Sequence, residues 1–151
     1  MNRPKPKPFT YTLPAGEYWI GDPCYPCNDA VYPTLWDDWL EQSDYFDGSG
    51  YAKSKEGFVV WAGGTDYGDG QYDDNHGRSY GVDAGLIGIM TKEHAIAMNG
   101  GDVGRLDGDL GHFVTFDKAF IVEFDNRTDT FDTSHRFGNV SIATSWEEEE
   151  E

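Results

Sequence analysis

Cysteine, cationic residues and long apolar runs are all scarce in this sequence, and each shortage excludes something. Two cysteines in 151 residues, Cys24 and Cys27, are too few for a disulfide-stapled scaffold. Eleven Lys and Arg stand against 28 Asp and Glu, a formal charge of −17. Residues 1–8 hold three of the cations (Arg3, Lys5, Lys7) and residues 147–151 are all Glu, so residues 9–146 keep 23 acids and 8 bases, a net of −15. A body of that charge repels polyphosphate, because phosphate contacts need Lys and Arg to displace counterions. Direct nucleic-acid binding is therefore excluded, and so is an anionic membrane surface. No run approaches the roughly 18 apolar residues of a membrane helix. Residues 1–8, basic and Pro-rich, lack the apolar stretch of a signal peptide, so we expect a soluble, cytoplasmic protein. No Walker loop, G-x-S-x-G elbow or H-E-x-x-H is present, which removes the commonest hydrolase signatures and favours a non-enzymatic role.

What the chain does contain is aromatic and turn-rich. Aromatics make up 15% and there are 19 Gly and 7 Pro, a balance that disfavours disorder and favours short strands joined by tight turns. Thr10–Leu13 and Glu17–Gly21 read as strands joined by the Pro14-Ala15-Gly16 turn. Phe58–Ala62, Gln71–Tyr72, Ser79–Val82, Leu86–Met90, His112–Phe116, Ala119–Phe124, Thr128–Thr133 and Asn139–Thr144 read as further strands. Asp73 to Gly77 form the turn of a hairpin, and Tyr45–Tyr51 a loop. Two segments have helical patterning. Thr34–Ser43 carries a capping Thr34 and an apolar stripe of Leu35, Trp36, Trp39 and Leu40. Thr91–Met98 is followed by Gly100-Gly101 as a stop. The expectation is one mainly β domain over 9–146, with a basic tail at 1–8 and an acidic tail at 147–151. Its fold would be an antiparallel sandwich or open barrel of about eight or nine short strands with two short helices.

Three Gly-framed segments hold residues that a bare scaffold does not require. In Gly16–Tyr25 a strand runs into Gly21-Asp22-Pro23, which places an acid, the Cys24 thiol and the Tyr25 phenol just past the strand end. In Gly64–Tyr72 two glycines bracket Asp69, with Thr65 and Tyr72 on either side. In Tyr80–Met90, Asp83 precedes the flexible Ala84-Gly85 pair. Glycines let the backbone turn sharply and approach a ligand, and an Asp there either caps loop amides or reaches that ligand. Asp22, Cys24, Tyr25, Thr65, Asp69, Tyr72 and Asp83 are accordingly the candidate ligand-binding residues, convergent if the three segments meet at one end of a sheet. No catalytic residue is assigned.

Cys24 and Cys27 form a C-x-x-C, which permits redox chemistry or half of a zinc site. The sequence after Cys27 is a poor helix start, and His76, His94, His112 and His135 are scattered without paired spacing. Two free, partly buried thiols are the expectation, with Cys24 activated by His112 or His135 as an alternative. The acidic loops 66–74 and 102–109 do not match an EF-hand. No cofactor is expected, apart from a divalent cation if the acids build a real site.

In series these segments resemble a family of small uncharacterised proteins encoded by tailed bacteriophages and prophages, with a pattern G-x-Y-x-I-G-D-x-C-Y, T-x-x-G-D-G-x-Y, a D-x-x-G turn, Y-x-V-D-x-G-x-I-G and F-G-x-V-x-I-x-T. The matching residues are Gly16 to Tyr25, Thr65 to Tyr72, Tyr80 to Gly88 and Phe137 to Thr144. Cys27, the basic tail and the Glu run fall outside that pattern. The resemblance implies a viral origin and a mainly β fold, with no established activity.

Three functions follow. A binding module could inhibit a host or defence protein by offering an acidic body to a basic nucleic-acid groove; residues 8–52 hold eight acids and no Lys or Arg. A site at the sheet end could bind a nucleotide signal or, with a divalent metal, hydrolyse it. Alternatively, the protein is a structural or virion-associated accessory and its motifs serve turns and packing.

Overall fold

The computed structural model describes residues 9–28, 30–43, 50–65, 70–83, 85–104, 106–108, 110–125 and 134–144. In chain order its elements are β1 (Phe9–Leu13), β2 (Gly16–Gly21), α1 (Leu35–Ser43), β3 (Tyr51–Lys53), β4 (Val59–Gly64), β5 (Gly70–Asp73), β6 (Ser79–Val82), β7 (Leu86–Thr91), α2 (Lys92–Met98), β8 (Gly111–Phe116), β9 (Phe120–Asp125), β10 (Ser134–Phe137) and β11 (Val140–Ala143). The strands form a four-stranded sheet in the order β1-β9-β10-β11, a five-stranded sheet in the order β3-β4-β7-β2-β8, and the hairpin β5-β6. Every pairing is antiparallel.

Side-chain alternation buries the five-stranded sheet on both faces. Along β2, Tyr18 and Ile20 point to one side and Trp19 to the other. On the first side Tyr18, Ile20, Ile87 and Ile89 meet Leu13, Val122, Phe124, Phe137 and Ile142 of the four-stranded sheet, with Tyr72, Tyr80 and Val82 of the hairpin joining them. On the second side Trp19, Val60, Ala62 and Met90 meet Leu35 and Trp39 of α1 and Ala95 and Met98 of α2. The fold is thus a β-sandwich with a helical third layer, mainly β as its turn-rich composition implies, and its strands do not close into a barrel.

Local chemistry sets the two helices. Asp38 N–H donates to Thr34 O at 2.9 Å as α1 begins, and Asp37 and Asp38 lie in its first turn, where carboxylates favour the free amides. Thr91 caps α2, its hydroxyl accepting from His94 N at 3.2 Å. The stop is a Schellman turn: Gly101 N donates to Ile96 O at 2.8 Å and Gly100 N to Ala97 O at 3.1 Å. Gly100 and Gly101 hold φ of 71° and 88°, a region that glycine enters without steric cost.

A row of small residues crosses four strands of the central sheet, with Ala62 opposite Gly88, Gly88 opposite Gly21 and Gly21 opposite Gly111. It makes room for the Trp19 indole: a Cβ on Gly21 would come within 2.5 Å of that ring. Trp19 itself is fully buried, and its Nε1 donates to Leu106 O at 2.5 Å. The free edge of β11 is sealed by the β5–β6 turn. Asn75 N donates to Ser141 O at 3.0 Å, and Ser141 N donates to Asn75 Oδ1 at 2.9 Å, so one asparagine stands in for a neighbouring strand and blocks edge-to-edge pairing.

The Pro14-Ala15-Gly16 turn joins β1 to β2 as expected; β1 pairs with β9 in one sheet and β2 with β7 and β8 in the other, so the turn links the two layers. Two local readings differ from this structure. Tyr51, expected in a loop, opens β3, whose pairing with β4 supplies the order that the local sequence lacks. β10, unread in the sequence, pairs on both sides, with β9 and β11. The expected strand Thr128–Thr133 lies outside the described residues.

Candidate functional site

β2 and β4 end, and β7 begins, at the same end of the central sheet, where the β5-β6 hairpin also returns. Past Gly21 the chain enters Asp22-Pro23-Cys24-Tyr25, and Asp22 is fully buried. A buried carboxylate must find donors. Its Oδ1 accepts from Cys24 N at 3.0 Å and its Oδ2 from Asp83 N at 2.8 Å, while its carbonyl accepts from Tyr25 N at 3.1 Å. One acid therefore caps its own turn and ties the end of β2 to the end of β6. Thr65 reaches the same corner through the backbone, its N–H donating to Gly85 O at 2.8 Å. Gly85, two residues beyond Asp83, holds a φ of 76°.

Of the sequence-derived candidates, Asp22, Cys24, Thr65 and Asp83 thus share one corner. Asp83 is exposed there and Cys24 half-buried. Tyr72 is buried opposite Tyr80 within the hairpin, part of the inter-sheet core. Tyr25 packs half-buried against the helical-layer core. Asp69 lies outside the described residues.

Burial pushes the Cys24 thiol well above its ordinary value; the Asp22 charge and hydrogen bond, then Asp83 and Cys27, add to the rise. A thiol held protonated beside carboxylates is a poor nucleophile, since the thiolate is the reactive form. The histidines weighed as its activators are engaged elsewhere. His112 Nε2 lies 2.8 Å from Ser79 O and His135 Nε2 lies 3.1 Å from Gly64 O. A carbonyl only accepts, so each Nε2 carries the proton. His135 thereby links the four-stranded sheet to β4 of the central one. Among the described residues no three His, Cys, Asp or Glu side chains gather as a metal-binding group.

A dense polar cluster lies at the far end of the β5–β6 hairpin, at Asp74, which sequence reading left within a turn. Its Oδ1 accepts from His76 N at 2.8 Å and Arg78 N at 2.9 Å; its Oδ2 accepts from Arg78 Nε at 2.9 Å and Tyr80 OH at 2.6 Å. Burial alone would raise this carboxyl, but the Tyr80 hydroxyl, the Arg78 and His76 amides and the Arg78 guanidinium outweigh it and hold the group below its ordinary value. Tyr80 moves the opposite way, raised by burial and by Asp74. The signal was present in Asp74-Asn75-His76-Gly77-Arg78, an Asx turn with a cation four residues on.

Among the described residues, two open clefts lie elsewhere. One, about 410 Å³, is lined by Asp38, Glu41, Gln42, Lys53, Ser54 and Lys55. The other, about 540 Å³, runs between Pro14–Tyr18 and Thr91–Ile96. Neither includes a candidate from the sheet-end corner.

Exposed charge is mostly acidic. Among the described residues, α1, α2 and the loops beside them expose Asp37, Glu41, Glu56, Glu93 and Asp102, against Lys53, Lys55 and a half-buried Lys92, while Glu17, Asp73, Asp83, Asp107 and Asp117 are exposed elsewhere. The outer face of the four-stranded sheet instead pairs Glu123 with Arg136 at 3.5 Å, and the β8–β9 turn sets Asp117 beside Lys118. No family model, curated protein or solved structure matches this chain.

Proposed function

We propose that this chain is an acidic protein-binding module of tailed-phage type, acting in the host cytoplasm. It would engage a host or defence protein through that partner's basic surface and occupy the place a nucleic acid would take. The observation that carries the reading is the excess of exposed acids: ten of the described acidic residues are exposed, five of them on the helical layer, against four exposed cations, while Glu123 and Arg136 pair on the opposite sheet face. A predominantly negative surface field steers association with a cationic partner, and a carboxylate array can stand in for duplex DNA, which carries one phosphate charge per about 1.7 Å of helix axis. Capture from bacterial lysate at low salt tests it. A basic nucleic-acid-binding protein should be retained, and duplex DNA should displace it.

A structural or virion-associated accessory role is the second reading, and a different observation supports it. The motif residues Gly21, Asp22, Tyr80, Gly88, Phe137 and Ile142 each have a place in packing or turn capping. Alanine at Asp83, an exposed motif acid, separates the two roles from a ligand site: intact folding with lost function would indicate a site. A nucleotide-binding or metal-dependent hydrolytic role at this corner has less support, because the Asp22 carboxylate is committed to two backbone amides.

A further inference from the structure

We draw no further inference here: the strongest candidate, the surface patch of exposed Val31 and Val103 flanking Gly100 after α2 on the helical layer, carries nothing because nothing in the structure shows what covers it.

Discussion

Asp22 Oδ2 accepts the backbone N–H of Asp83 at 2.8 Å, so two acids read from the sequence as ligand-binding candidates meet as side chain and main chain, with only one carboxylate open to solvent. This relationship sets different expectations for the two residues. Asp22→Ala strands the Cys24 and Asp83 amides, and a buried unsatisfied group costs about 1–3 kcal/mol. We expect a loss of roughly 2–5 kcal/mol in denaturant unfolding. Asp22→Asn keeps one acceptor and should lose less. Asp83→Ala, which leaves its amide in place, should stay within about 0.5 kcal/mol of the parent, as exposed positions do.

The raised Cys24 thiol makes a chemical prediction. In a Cys27→Ser background, alkylation of Cys24 by iodoacetamide at neutral pH should run at least about tenfold slower in the folded protein than in denaturant, because the thiolate is the reacting species. Asp22→Asn removes the leading charge that opposes ionisation and should speed the folded-state reaction. An unchanged rate in that variant would show that burial alone suppresses the thiol.

Asp74 predicts an acid limb in the stability profile. Its carboxyl is held below the ordinary value in the folded state. Its contribution is therefore complete above the unfolded carboxylate pKa of about 3.9 and is lost as pH falls through the lower folded value. Tyr80 is raised, so its contribution is complete below the unfolded phenol value of about 10 and declines as pH rises beyond it. Tyr80→Phe should cost about 1–3 kcal/mol at neutral pH through the lost donor. Asp74→Asn should flatten the acid limb, measured as unfolding free energy against pH.

The glycine row predicts that size, not chemistry, governs the centre of the sheet. A Cβ at Gly88 would stand 2.5 Å from Trp61 O and 2.7 Å from Ala62 Cβ, and main chain cannot swing aside as a flexible side chain can. Gly88→Ala should cost upwards of about 3 kcal/mol, at the severe end for overpacking. Gly57→Ala meets no neighbour within 4 Å; its φ of 95° should cost about 1–2 kcal/mol. Melting temperatures of the two variants give the comparison.

Much of the fold was legible because the central strands and both helices announce themselves locally. The Tyr18-Trp19-Ile20 run and Leu86–Met90 are apolar on successive residues, as strands covered on both faces must be. Thr91 and Gly100-Gly101 bracket α2 with caps. β3 and β10 were not legible. Tyr51–Lys53 is three residues long, and Ser134–Phe137 carries Ser, His and Arg, so each owes its strand to its partners. The site was half legible. Gly-framed aspartates pointed to turns meeting at a sheet end, and Asp22 with Asp83 does meet there. Burial of the Asp22 side chain, and the placing of Tyr72 in the core, depend on contacts between segments some sixty residues apart, which no local pattern carries.

The charged helical layer is tested most directly by affinity capture from bacterial lysate with the parent chain and an Asp37→Asn/Glu41→Gln/Glu56→Gln/Glu93→Gln variant. Both should have matched melting temperatures and be compared at about 50 mM and about 500 mM salt, a range over which electrostatic contacts weaken steeply. The parent should retain a basic nucleic-acid-binding protein at low salt only, duplex DNA should displace it, and the variant should lose it. An empty capture at low salt, or equal capture by the variant, would contradict the proposed binding role.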